Sequence, residues 1–361
     1  MRAAVWHGAG DVRVEGWPDP PPPGAGDAVV RVTRAAICGT DVAEYRDGPH
    51  MIPTTRPHPL TGRTAPIVLG HEYAGVVDRV GPDVTTLAPG DRVCGDSCLR
   101  CNACWWCLRG EYNICVRGAS VGLHADGAFA PYATIPAYAL EKVPDAVSDD
   151  WAAVAEPLAV GLHATRQGDL QAGDTVVVVG AGMIGAAAAT MARARGAGAV
   201  IVVDPAPHRR ELALAIGAED ALDPTGDDVR GHVRARTQGR GADLVIDCSG
   251  RSDAFAPDLE LCRRGGTVAI CGLGHEPARV DLNRIVYFER RVVGVLGYRF
   301  DHGAVLGLLA DRRVDPSPLL GDVIDLGAIV PEGFERIRRD PTAPLRVLVA
   351  PADAHMTGGS T

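Results

Sequence analysis

Two stretches of this 361-residue chain carry recognisable chemistry. The first is Cys101–Cys115, CNACWWCLRGEYNIC, in which Cys101, Cys104, Cys107 and Cys115 follow a C-x2-C-x2-C-x7-C spacing. Four thiolates in a short loop suit tetrahedral zinc, and four sulfurs leave no open position, so the site reads as structural. An iron–sulfur cluster also takes four thiolates, but nothing else here points to electron transfer. A shift of register would recruit Cys98 in place of Cys115. The second stretch is Val176–Gly185, VVVVGAGMIG, a β-branched run followed by G-x-G-x-x-G. Gly180 permits the tight turn, Gly182 lets backbone approach a pyrophosphate, and Gly185 allows close helix–strand packing, with Met183 and Ile184 expected at the cofactor beside them. Asp204 stands 19 residues beyond Gly185, placed to accept hydrogen bonds from both ribose hydroxyls. It would repel a 2′-phosphate, which favours NAD over NADP, although Arg209 and Arg210 could soften that repulsion. The bland alternative is a tight β-α turn with a solvated Asp.

The elements around these residues fit their tasks. Thr175–Val179, Ala199–Val203, Asp243–Asp247 and Thr267–Cys271 read as buried strands, and Ala186–Arg195 and Glu211–Gly217 as helices. Strands alternating with helices at this spacing mean β-α-β units and a parallel sheet, from about residue 158 to 298. The first 157 residues look β-rich and irregular, with Ala28–Ala35, Val76–Val80 and Ala130–Ile135 as strands. Arg346–Val349 is a further strand with no slot in the parallel sheet. Residues 299–361 are therefore expected to return to the first domain, with His355–Thr361 a disordered tail.

Composition sets outer bounds. Hydrophobic residues make up 46% and charged residues 22%, which excludes a disordered chain. No apolar run reaches a membrane span, since the one around Val176–Ala189 is broken by three glycines. No secretory signal is visible, and a net charge of −9 argues against nucleic acid. Six of the 10 cysteines fall between Cys94 and Cys115. In a long chain without a signal, such clustering indicates metal ligands in a cytoplasmic protein. Lys142 is the only lysine.

Three further motifs then gain meaning: ICGTD with Cys38, GHEYAGVV with His71, and AEPLAV with Glu156. With GDRV at Gly90–Val93, the cysteine loop and the glycine motif, they stand in an order that resembles the zinc-dependent medium-chain alcohol and polyol dehydrogenases along the whole chain. His58–Gly75, Glu44–Pro49 and Arg290–Tyr298 look like the 2,3-butanediol dehydrogenase branch. The resemblance implies an α/β architecture: a Rossmann doubly wound parallel sheet domain (158–298) plus a β-rich GroES-like catalytic domain (1–157 and 299–361). It implies two zinc ions per chain, NAD, and a homodimer or homotetramer acting on a small alcohol or ketone, with no nucleic-acid or membrane partner.

By the same resemblance Cys38, His71 and Glu156 hold a catalytic zinc, Glu72 is an alternative ligand or supporting group, and Thr40 receives the substrate proton. Gly272, Leu273, Leu296, Gly297 and Arg346 are expected near the cofactor, Arg346 at its pyrophosphate. One departure is Ala43, where many relatives place a proton-relaying His; Glu44 or Tyr45 are candidate substitutes. The substrate expected first is a secondary alcohol or vicinal diol of the butanediol/acetoin type. A sorbitol-like polyol comes second, and a specialised biosynthetic alcohol third, suggested by Ala43 and Arg46, Arg56 and Arg63. A non-catalytic nucleotide-binding protein on this scaffold is the remote alternative.

Overall fold

The computed structural model describes residues 1–274 and 276–351. The tail expected to be disordered, His355–Thr361, lies outside the described residues. The chain forms two compact units. One comprises Met1–Glu156, His302–Ala310 and the segment from Leu320 onward, and the other Pro157–Asp301 with Asp311–Leu319. The C-terminal segment thus rejoins the first unit, except that Asp311–Leu319 packs with the second.

The second unit is a six-stranded parallel sheet. Its spatial order is Asp220–Leu222, Ala199–Val203, Thr175–Val179, Ala242–Asp247, Cys262–Ile270 and Arg291–Gly294. This is the 3-2-1-4-5-6 order of a doubly wound nucleotide-binding sheet, with its crevice where the order reverses beside Thr175–Val179. Val176, Val177 and Val178 are fully buried between Val200–Val202 and Leu244–Ile246. A continuous β-branched run forms here because both faces of the sheet are covered. The edge strands Asp220–Leu222 and Arg291–Gly294 are short and partly exposed, so their patterns are weak.

In the first unit the main sheet has seven strands. Asp27–Ala36 is central, antiparallel to Glu72–Val80 on one side and to Arg346–Ala350 on the other. Ala36 pairs with both Glu72 and Leu348. That register brings the end of one strand and the starts of two others to a single point. The terminal strand finds its slot here because Val347, Leu348 and Val349 are buried in this core, not in the parallel sheet. Trp6, Phe129 and Phe334 are buried beside it, with Phe334 stacked on Tyr45 at 5.3 Å. Each such aromatic contributes roughly 1.5–3 kcal/mol through burial. On an edge strand of this sheet, Leu140–Lys142, the lysine Nζ pairs with Asp91 at 2.8 Å. No described helix is long and apolar enough to cross a membrane.

Candidate metal centres and nucleotide crevice

The Ala36 register creates the first site. Cys38 leaves the central strand and caps the helix Gly39–Asp47, while His71 and Glu72 open the facing strand. The ligand atoms of Cys38, His71 and Glu72 lie within 4.8 Å of one another. The Cys38 backbone N–H donates to Asp41 Oδ2 at 2.9 Å, fixing the turn, and the sulfur lies 3.7 Å from Thr40 Oγ1.

Asp41 is the residue that sequence reasoning missed. It is fully buried, and its Oδ1 stands 3.4 Å from His71 Nδ1. The carboxylate thus stands beside the imidazole, as one that orients a metal-binding ring does. Its signal was an acid three residues after a helix cap. Burial opposes a charge on His71, but Asp41 and Cys38 outweigh it and raise the pKa well above the usual range. The soft sulfur, imidazole and carboxylate donors of the pocket suit zinc.

Arg346 differs from expectation. Its guanidinium donates from Nε to one Glu72 oxygen at 2.6 Å and from Nη2 to the other at 2.7 Å. Nη2 also lies 3.6 Å from the Cys38 sulfur, and Nη1 donates to the Leu345 carbonyl. A buried cation with these partners is committed to the metal pocket, not extended toward a pyrophosphate. Burial disfavours its charge, yet Glu72, Cys38 and then Glu156 raise its pKa. Glu156, in the first turn of the helix Ala155–Gln167, stands outside the three-residue group and acts on the same arginine.

Neither candidate relay near Ala43 faces this pocket. The Glu44 carboxylate accepts from the backbone N–H groups of His50, Met51 and Ile52, and Tyr45 donates to Glu335 at 2.8 Å. Of the three loop arginines, Arg63 is tied to Asp126 and Arg46 to Asp47.

The second candidate metal site is the cysteine loop. Cys101, Cys104, Cys107 and Cys115 place their sulfurs within 4.8 Å of one another. The pairs Cys101–Cys107 and Cys104–Cys115 are 3.9 and 3.8 Å apart. A zinc–sulfur bond of about 2.3 Å implies a tetrahedral sulfur–sulfur edge of about 3.8 Å. A multi-iron cluster would hold the thiolates further apart, so the geometry fits zinc. Burial and then the thiols of Cys104 and Cys115 push Cys107 up to about 12. A divalent cation would reverse that cost, because a coordinated thiol ionises.

In the second unit the glycine motif forms the turn between the strand Thr175–Val179 and the helix that follows it. Gly180 has φ +88°, and a Cβ on Gly185 would lie 1.8 Å from the Gly180 carbonyl oxygen. A Cβ on Gly182 would meet nothing within 4 Å, so that side is open for a ligand. Met183 and Ile184 open the helix Met183–Ala194. The Asp204 carboxylate accepts from the Ala181 amide at 2.7 Å and from the Ala206 amide at 2.8 Å. It therefore ties the glycine turn to the end of its neighbouring strand. Arg209 reaches the Ala181 carbonyl, while Arg210 donates to the Asp204 and Pro205 carbonyls and pairs with Asp223. A cavity of about 730 Å³ lies over this turn, lined by Gly180, Gly182, Asp204, Ser249 and their neighbours. Gly272 packs against Gly250, where a Cβ would come within 2.2 Å of its nitrogen. Leu273 and Leu296 are exposed, and Gly297 has φ +55°.

Comparison with known proteins bears on both units. Residues 24–145 match the alcohol dehydrogenase GroES-like domain and 184–310 the zinc-binding dehydrogenase domain. The (R,R)-butanediol dehydrogenase of Bacillus subtilis is 33% identical over 353 residues, covering 97% of this chain and 100% of the relative. The chain belongs to the zinc-dependent medium-chain alcohol dehydrogenase family.

This medium-chain dehydrogenase is accordingly an oxidoreductase with a GroES-like and a Rossmann domain. An L-threonine 3-dehydrogenase of Anaeromyxobacter dehalogenans is 36% identical over 77% of the chain and 78% of the relative. Among solved structures, the Bacillus subtilis 2R,3R-butanediol dehydrogenase superposes with a TM-score of 0.91 at 32% identity, covering 97% of this chain and 99% of that one. An Escherichia coli alcohol dehydrogenase complexed with NADH has a TM-score of 0.87 at 28% identity, with 97% and 99% covered. A dehydrogenase of Sinorhizobium meliloti bound to NADP has a TM-score of 0.84 at 30% identity, with the same coverage.

Proposed function

We propose that this dehydrogenase interconverts a secondary alcohol or vicinal diol, of the 2,3-butanediol/acetoin type, with its ketone, using NAD. The observation that carries the reaction class is the buried Cys38–His71–Glu72 group with Thr40 beside the sulfur. Cys38, His71 and Glu156 would hold a catalytic zinc, with Glu72, whose two oxygens both accept from Arg346, as the alternate carboxylate. Zinc bound there supplies Lewis-acid polarisation of the substrate oxygen. Asp41 fixes the imidazole, and the Thr40 hydroxyl passes the substrate proton. The methyl side chain of Ala43 offers no onward acceptor, so Thr40 would pass the proton on without a side-chain relay at that position. The cysteine loop would hold the second, structural zinc. NAD supplies the hydride acceptor. Gly180, Gly182 and Gly185 cradle its phosphates, and Asp204 disfavours a 2′-phosphate.

The butanediol assignment rests on the Bacillus relative, which matches along its whole length. The threonine dehydrogenase relatives supply a second reading, in which the alcohol belongs to an amino acid. A substrate panel with NAD, followed at the NADH absorbance, decides between them. Turnover of 2,3-butanediol supports the assignment. Turnover of threonine or of a polyol, with no vicinal diol oxidised, overturns it. The assembly proposed is a homodimer or homotetramer, which light scattering would measure directly.

A further inference from the structure

The nucleotide-binding unit holds a second cavity, of about 660 Å³, that the reaction above does not use. It lies where the strands Ala242–Asp247 and Cys262–Ile270 begin, at the opposite edge of the sheet from the glycine turn. Seven arginines and two carboxylates line it, in a chain whose net charge is −9.

The carboxylates do not balance the arginines. Asp243 is taken up by Arg263 at 2.6 Å and by the Thr175 amide at 2.8 Å. Glu260 is shared among Arg284 at 2.8 Å, Arg230 at 3.4 Å and Arg290 at 3.9 Å. Arg234, Arg240 and Arg264 have no carboxylate partner among the described residues.

The guanidiniums are also pre-ordered. Those of Arg264, Arg290 and Arg284 lie 4.7, 4.8 and 5.5 Å from the centre of the Phe288 ring. Arg290 is buried and donates to the Cys262 carbonyl at 2.6 Å. Stacking fixes a guanidinium plane while its N–H edge stays free for an oxyanion. Several like charges around one ring repel one another until an anion lies between them. One negative charge cannot offset this excess, whereas a chain of phosphates offers several charges and many acceptor oxygens.

We propose that this cavity is a second anion site, which takes a small multivalent phosphate through Arg264, Arg284 and Arg234. The phosphates come from an inorganic oligophosphate or from a nucleotide's phosphate chain. The site rests on the cavity alone and stands whether or not the substrate assignment does.

Isothermal titration of the full chain with tripolyphosphate tests it, with saturating NADH present to fill the glycine-turn crevice. One saturable site per chain is expected. R264Q/R284Q, at partly exposed positions, should weaken it by at least about tenfold. E260Q removes the competing carboxylate and should tighten it, a change of sign that a merely structural role would not produce. ATP competing with tripolyphosphate identifies a nucleotide as the source, and failure to compete identifies the inorganic chain. No saturable binding, equal affinity for orthophosphate at matched ionic strength, or binding unchanged in R264Q/R284Q overturns the proposal. If NADH itself does not bind, the cofactor assignment fails, while the arginine substitutions still report on this site.

Discussion

Arg346 and Glu72, 274 residues apart, form a buried two-contact ion pair at 2.6 and 2.7 Å behind Cys38. The pair makes the terminal strand part of the metal pocket. Removing one partner would strand the other charge in the interior. Arg346→Leu is expected to lower unfolding free energy by about 3–5 kcal/mol, whereas Arg346→Leu with Glu72→Leu should recover part of that loss. Urea unfolding of both variants checks this. A double variant no more stable than the single one would show that the pair is not the source of the cost.

The two metal centres predict separable losses. Cys104→Ser should remove one zinc per chain and lower the melting temperature, because an ion held by four thiolates ties the short loop together. Cys38→Ser should remove the other zinc and the activity, with the circular dichroism spectrum unchanged. Elemental analysis of each variant beside the parent reads both outcomes. Full zinc content in Cys38→Ser would remove that residue from the ligand set.

Asp204 holds the Ala181 amide and is proposed to read the ribose, and one substitution separates the two roles. Asp204→Ala should raise the dissociation constant of NADH by about 10- to 100-fold and change that of NADPH little. It also deprives the Ala181 amide of its acceptor, for a stability loss of about 1 kcal/mol. Equal changes for both nucleotides would show that Asp204 holds the turn without reading the ribose.

His124 gives a pH dependence with a definite sign. Burial and then the nearby His58 lower its pKa to about 4, and its Nδ1 accepts from the Ser120 amide at 3.0 Å. The unfolded chain, with an ordinary value near 6.5, binds more protons than the folded one between those limits. The contribution of neutral His124 is therefore present above about pH 6.5 and lost as pH falls toward 4. His124→Gln should lack this component, so the stability gap between parent and variant shifts against the parent across that window. Parallel stability curves for the two proteins would contradict this.

The nucleotide half was legible because its signals are local. A glycine motif, the strand before it and the acid after it lie within 30 residues, and each acts through its own backbone. The cysteine loop is local for the same reason. The candidate metal pocket was only partly legible, since Cys38, His71 and Glu72 meet through pairings at Ala36 that no spacing records. Arg346 was placed at the cofactor because a sequence shows a charge but not the side chain that will claim it. Asp41 went unnoticed because an acid at a helix start ordinarily needs no further explanation.

The lone lysine has a practical consequence. Lys142 is exposed beyond its contact with Asp91, and the terminal amine is held by Asp19 and the Trp17 carbonyl. Amine-reactive reagents therefore meet one lysine side chain in this sequence. A fluorophore or surface linker coupled there would report from a defined point on the catalytic unit, without any cysteine of the metal centres being exchanged.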